Sequence, residues 1–188
     1  LLFAFFLLIA WNSNSKTTEK KVRKNTFAKN TSIDSTKIIV NLEQMLERLE
    51  QKNDTVYVYN FWATWCKPCV AELPYFEKLQ ANYADKKLKV VLVSLDFAED
   101  LSKKVIPFMK KKQLKSEVLL LDAGNPNDWI DKISTEWTGV IPATLIVAKY
   151  GKHRAFFQQE FDYETLKEQI LPLLNLSLIH ISEPTRLR

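Results

Sequence analysis

Glycine is scarce in this 188-residue chain: Gly124, Gly139 and Gly151 are the only three. No G-x-G-x-x-G or G-x-x-x-x-G-K-[ST] can be assembled from them, so a glycine-rich phosphate cradle, and with it nucleotide binding, drops out. Cysteine is scarcer still, with Cys66 and Cys69 alone. With His180 in the terminal segment set aside below, the body offers two cysteines and only His153, one short of the four ligands a structural zinc asks for and with no second C-x-x-C, so no metal is expected. A surplus of one charge sign is also missing once the net +5 is divided along the chain. Residues 1–30 carry six Lys/Arg against one Glu, and the last thirteen residues add Arg186 and Arg188 against Glu183, leaving the body between them near −1. A near-neutral body with a basic leader is not the footprint of a nucleic-acid binder, and no nucleic-acid partner is expected.

What the chain does have is apolar content of 46%, enough to bury a core of one domain. Its first eleven residues, "LLFAFFLLIAW", are uncharged and apolar, and a polar basic stretch follows. That run is shorter than the roughly 20 residues a spanning helix needs. It suits a signal-peptide core or part of a signal anchor, which implies an extracytoplasmic chain, tethered or secreted, that meets the membrane through this segment. Residues 12–36 are read as a basic linker and 37–174 as the folded domain. Leu176 to Arg186, "LSLIHISEPTR", resembles one reading frame of a common sequencing adapter. Residues 176–188, His180 included, are therefore set aside as not native.

Within the domain, Lys37–Val40 is a short β-prone run. Asn41 with Gln44 three residues later predicts a capped helix, whose Leu42, Met45, Leu46 and Leu49 recur at helical spacing. "TVYVYNF" reads as a strand running into the cysteines, and Leu73, Phe76, Leu79 and Tyr83 predict a helix after them, with Pro74 as a kink. "LKVVLVSL" and "EVLLLD" have the continuous apolar character of strands covered on both faces. Leu101, Val105, Phe108 and Met109 predict a helix that Pro107 should disturb. "NPNDWIDKISTEW" is expected to be a polar helix with Trp129, Ile133 and Trp137 on one side. Ala143–Ala148 and Arg154–Phe161 form a predicted hairpin around Gly151, with His153 in its turn at the surface, and Asp162 caps a last helix carrying Leu166, Ile170 and Leu173. Strands alternating with helices and closing in a hairpin argue for an α/β fold: a central mixed β-sheet flanked by helices on both faces.

The chemistry gathers in "FWATWCKPCVAELP", Phe61 to Pro74. A structural disulfide closing so short a loop would constrain the unfolded state by only about 2 kcal/mol, a poor use of the only pair. Position suggests more. A cysteine between a strand and a helix faces the unpaired N–H groups and the positive dipole end of that helix, which favour thiolate over thiol. Lowering a thiol pKa from about 8.5 to about 7 raises the thiolate fraction at pH 7 roughly sixteenfold. Reduced nucleophilicity gives back about fivefold, so the net gain is a few-fold. The larger gain is the second thiol one helical turn on. Cys66 is placed to attack a disulfide, and Cys69 to resolve the mixed disulfide so formed. Pro68, lacking an N–H and fixed in φ, suits the first helical turn between them. Lys67 offers positive potential at Cys66 or simply a solvated rim, Trp65 adjoins Cys66 as part of the substrate surface, and Trp62 reads as core.

"YNFWATWCKPCVAELP" resembles the active-site segment of the thioredoxin superfamily, in particular its exported, membrane-tethered TlpA/ResA branch of thiol-disulfide oxidoreductases, often linked to cytochrome c maturation. The likeness covers roughly Lys37 to Leu174. It rests on W-C-x-P-C, on Pro74 five residues after Cys69, and on Ile141-Pro142 before a strand. The resemblance implies a thioredoxin-like fold with a TlpA-type strand-helix insertion over Glu117–Trp137. It implies a cis-proline loop at Ile141 and Pro142 that docks an extended substrate segment. The Cys66–Cys69 disulfide would serve as the only redox group, without a cofactor, with disulfide-containing proteins as substrates and a membrane or exported thiol as electron donor. Ordinary thioredoxins carry a buried Asp where this chain has Asn60, which cannot take a proton from Cys69. Glu72 matches a Glu kept by the TlpA/ResA branch and becomes the candidate proton acceptor, against the plainer alternative of a helix former on a wet face. A dithiol oxidase or isomerase, and a binding or chaperone module with a spectator dithiol, remain as rivals. A thiol peroxidase fits less well, since both cysteines belong to one C-x-x-C.

Overall fold

The computed structural model describes residues 38–179, with side chains through Leu174. The apolar leader and the whole of the basic linker lie outside the described residues. No helix among the described residues is long and apolar enough to cross a membrane.

Strand β1 (Ile39–Val40) leads through Asn41 into helix α1 (Leu42–Leu49). The capping box expected there is present: Asn41 Oδ1 accepts from the Gln44 N–H at 2.9 Å, and Gln44 Oε1 accepts from the Asn41 N–H at 3.0 Å. Two of the helix's first unpaired donors are thereby satisfied, and Met45 and Leu49 face the core. Strand β2 (Val56–Trp62) is followed by α2 (Lys67–Asn82), then β3 (Leu88–Ser94), α3 (Ile106–Lys112), β4 (Glu117–Leu121), the single turn α4 (Ile130–Ile133), β5 (Ala143–Ala148), β6 (His153–Phe157) and α5 (Tyr163–Ile179). Asp162 caps α5 through the Thr165 N–H at 2.8 Å, and the helix continues into the segment set aside from the fold.

The six strands form one sheet in the order β1-β4-β3-β2-β5-β6. Pairings from β1 to β2 are parallel and those of β5 with β2 and β6 are antiparallel, so the sheet is mixed as expected. Two apolar layers sandwich it. One joins Val56, Val58 and Trp62 of β2 to Phe76 and Leu79 of α2 and to Leu166 and Ile170 of α5. The other joins Tyr59 and Phe61 to Met45 and Leu49 of α1 and to Ile133. The period-2 alternation of a strand assigns each β2 side chain to a layer, and it sends Asn60 toward α2.

Two expectations need correction, and one about Pro107 holds. The polar helix over Asn125–Trp137 is only a 3-10 turn at Pro126–Asp128 and the one turn of α4, because Ser134 is extended. Trp129, Ile133 and Trp137 are all buried even so, with Trp129 and Trp137 meeting edge to face at 5.5 Å. Pro107 disturbs its helix as expected: Leu101–Val105 is a π-helical turn, and Pro107 falls in the first turn of α3. The ring of a proline clashes with the carbonyl four residues back, and the wider turn displaces that carbonyl. His153 opens β6 rather than sitting in the turn, paired with Ala148 and only partly exposed. Burial first and the Lys149 charge second hold its imidazole below the usual pKa.

Candidate active site

The dithiol sits where β2 ends and α2 begins, at the carboxyl end of the parallel strands. Cys66 is the N-cap of α2, and the Cys69 N–H points at its sulfur from 3.3 Å. This is the placement inferred from the strand-to-helix position, in which an orphan helix donor meets the sulfur. Pro68 occupies the first helical turn, where its missing N–H costs nothing. The sulfurs are bonded as a disulfide, with Cα atoms 5.3 Å apart. Cys66 is 6% exposed and Cys69 not at all, so only one sulfur of the pair is within reach of another molecule.

Two loops frame Cys66. The Ile141-Pro142 peptide bond is cis, and the Ile141 carbonyl oxygen lies 4.0 Å from Cys66 Sγ. Gly139 helps set that loop: its φ is +87°, and an added Cβ would come within 3.2 Å of the Ile130 side chain. The Trp137 ring N–H then donates to the Val140 carbonyl at 2.9 Å, fixing the approach to Ile141. On the other side the turn before Cys66 is tied down by Asp96. That buried carboxylate accepts from the Thr64 backbone N–H at 2.9 Å, from the Thr64 hydroxyl, and from the Ser94 hydroxyl at 2.8 Å. Trp65 is 63% exposed beside Cys66, Lys67 is exposed, and Trp62 is fully buried.

Below the disulfide lies a polar cluster inside the apolar layer. Glu72 is 2% exposed, which removes the wet-face alternative. It accepts from Asn60 Nδ2 on β2 at 2.7 Å through one oxygen and from the Phe161 backbone N–H at 2.8 Å through the other. Asn60 Nδ2 also reaches Thr144 Oγ1 at 3.3 Å, its direct cross-strand partner on β5. Burial pushes the Glu72 carboxyl up to about 7, against the pull of the Phe161 and Asn60 hydrogen bonds and with help from the Glu160 charge. Cys69 and Glu72 are three residues apart on one helix, so they share a face as neighbours. Cys66, Cys69 and Ile141 thus come together, with Pro142 next along the cis loop and Glu72 one helical turn beyond Cys69, while Lys67 stays exposed. Asp96, Thr64, Thr144 and the Phe161 N–H belong to the same surroundings and were missed from sequence. A lone polar residue straight after a buried strand was the available signal for Asp96.

Comparison with known proteins agrees with this architecture. The AhpC/TSA family matches residues 28–155, more than half of the chain. Thioredoxin-like protein YneN of Bacillus subtilis is 47% identical over 70 residues, 37% of this chain and 41% of its own length. Thiol-disulfide oxidoreductase ResA of Bacillus cereus is 32% identical over 116 residues, 61% of each chain. The present chain therefore spans less than two thirds of either relative. Among solved structures, a thioredoxin-related protein from Neisseria meningitidis serogroup B superposes with a TM-score of 0.54 at 21% identity, covering 68% of this chain and 87% of that one. A family match across most of the folded domain, on a six-stranded sheet with its dithiol at a helix N-terminus, makes the chain a member of the AhpC/TSA family with the thioredoxin-like fold.

Proposed function

We propose that the chain is an exported thiol-disulfide oxidoreductase that reduces protein disulfides through Cys66 and Cys69. The observation that carries this reading is the asymmetry of the pair: Cys66 keeps 6% exposure and has a helix N–H aimed at its sulfur, whereas Cys69 is fully buried. In the reduced protein the Cys66 thiolate attacks one sulfur of a substrate disulfide. A mixed disulfide forms, and the other substrate sulfur leaves as a thiolate. Cys69 gives its proton to the Glu72 carboxylate and attacks Cys66 Sγ, releasing the second substrate thiolate and closing the Cys66–Cys69 bond. Two electrons pass to the substrate, and the protons end on its thiols or in water. No cofactor enters. Ile141 and Pro142 are suited to hold an extended substrate segment beside Cys66, and Trp65, Lys67 and Pro68 shape its approach.

The electrons come, in this reading, from a membrane or exported thiol protein. The leader tethers or exports the domain, so that it works on the outer side of a cytoplasmic membrane, in a role such as cytochrome c maturation. With dithiothreitol as electron source the protein should reduce insulin disulfides, and Cys66→Ser should lose all of that activity; a fully active Cys66→Ser variant sinks the proposal. The Lys-Pro pair between the cysteines leaves an oxidase or isomerase as the second reading. A redox titration separates them, with a potential near about −270 mV expected of a reductant and near about −120 mV of an oxidant.

A further inference from the structure

Glu72 poses a hydrogen-bonding problem that only one neighbour can solve. As a carboxylate it is satisfied, since each oxygen accepts one N–H, from Asn60 Nδ2 at 2.7 Å and from Phe161 at 2.8 Å. As an acid it gains an O–H that needs an acceptor, and neither of those donors can accept. An acceptor does sit on the residue already in contact. Asn60 Oδ1 is buried and has no hydrogen-bond partner among the described residues. A half-turn of the side-chain amide exchanges Nδ2 for Oδ1 about a torsion whose wells are broad and two-fold. Oδ1 would then face the Glu72 O–H. The Thr144 hydroxyl, now accepting from Nδ2 at 3.3 Å, can donate to Oδ1 instead, because a hydroxyl does both.

The two arrangements balance. Each leaves one buried amide atom of Asn60 without a partner, so neither orientation carries an extra desolvation cost. Replacing Asn60 by Asp would place a second carboxyl against the first. An apolar residue would serve neither protonation state. The remaining groups that face Glu72 do not keep this role: Cys69 gives up its thiolate when the disulfide closes, Glu160 contributes negative charge from the β6–α5 connection, and Phe161 offers only a backbone donor.

We propose that Asn60 is a positioning residue matched to both protonation states of Glu72, its amide turning over each time the carboxyl takes up or releases the dithiol proton. This rests on the reading of Glu72 as the proton acceptor, and the two can fail separately. The experiment follows single-turnover reduction of insulin disulfides by the full-length reduced protein across pH 5 to 9, for wild type, Glu72→Gln, Asn60→Leu and Asn60→Asp. Loss of the acid limb in Glu72→Gln is expected, and its survival there overturns the acceptor reading itself.

Asn60→Leu removes the partner of both protonation states. Its acid limb should therefore fall in rate but keep its midpoint to within about half a unit, whereas loss of a donor that served the carboxylate alone would raise the midpoint by about one unit. Asn60→Asp should split the limb into two steps, as expected of two carboxyls sharing a proton. An Asn60→Leu limb moved up by about one unit, with Glu72→Gln behaving as expected, shows a donor that serves the carboxylate alone and overturns the proposal for Asn60. A purely structural residue would also leave the midpoint in place, and infrared difference spectra of the wild-type protein across the Glu72 titration separate the two, even where Asn60→Leu fails to fold. A side-chain amide band must change with the carboxyl band and vanish in Glu72→Gln, and an unchanged amide band refutes the turnover.

Discussion

Asp96 and Glu72 are both 2% exposed, and both flank the dithiol, but their hydrogen bonds come from different places. Asp96 draws its three donors from Ser94 and Thr64, the end of β3 and the turn before Cys66, so it fastens two adjacent chain ends together. Glu72 draws two from Asn60 and Phe161, on a strand and a connection distant in sequence, and burial pushes it up to about 7. Asp96 clamps the end of β3 to the turn before Cys66, while Glu72 ties α2 to β2 and to the β6–α5 connection. Equal burial thus goes with different structural jobs, which the number and origin of the donors reveal.

The largest effect that could break this contrast is on the clamp. Asp96→Ala strands three donors around the turn before Cys66, and at 1–3 kcal/mol for each buried unsatisfied group a loss of about 4 kcal/mol in denaturant unfolding is expected. The pH profile of the surviving activity should keep the wild-type shape; a displaced acid limb would make Asp96 a second proton-handling group. Next comes Glu72. Its raised value means the folded state keeps a proton between about pH 4.5 and about 7, where an unfolded chain has released it. The group's contribution is therefore full below about 4.5 and lost as pH climbs through that window. Glu72→Gln should make the oxidised protein more stable at pH 8 by up to about 3 kcal/mol and hardly change it at pH 4. Equal effects at both pH values would contradict the raised value. The smallest effect sets the scale for an exposed hydrogen-bond pair remote from the chemistry: Asn41→Ala, which breaks the capping box of α1, should cost about 1 kcal/mol of stability and leave the pH profile untouched.

Local signals carried much of the fold. The capping box at Asn41 and Gln44 and the apolar runs of β2 and β3 are written in neighbouring residues and appear as read. Ile141-Pro142 was expected to be cis only through the family resemblance, and it is. The misreadings share a physical cause. Trp129, Ile133 and Trp137 recur at spacing a helix would explain, but a single turn followed by extended Ser134 buries them equally well. Glu72 stands out only through the family resemblance, since nothing local reveals that Asn60 and the Phe161 N–H, 89 residues away, will meet it in the core. Asp96 and Thr64 are likewise partners only once β2 and β3 lie side by side.

β1 is two residues long and pairs only with Leu120 and Leu121. The amino half of β4, Glu117 to Leu119, has no strand beside it on that side among the described residues. Such a bare margin is where a second chain could add its own strand and start an aggregate. Glu117 stands at that margin, joined to Arg48 at 2.8 Å and to Lys89 at 2.6 Å. An incoming strand would have to strip water from three linked charges before making its first backbone bond. Charge placed at a sheet margin is a means by which edge pairing is discouraged, and Glu117 with its two cations puts it where β1 falls short.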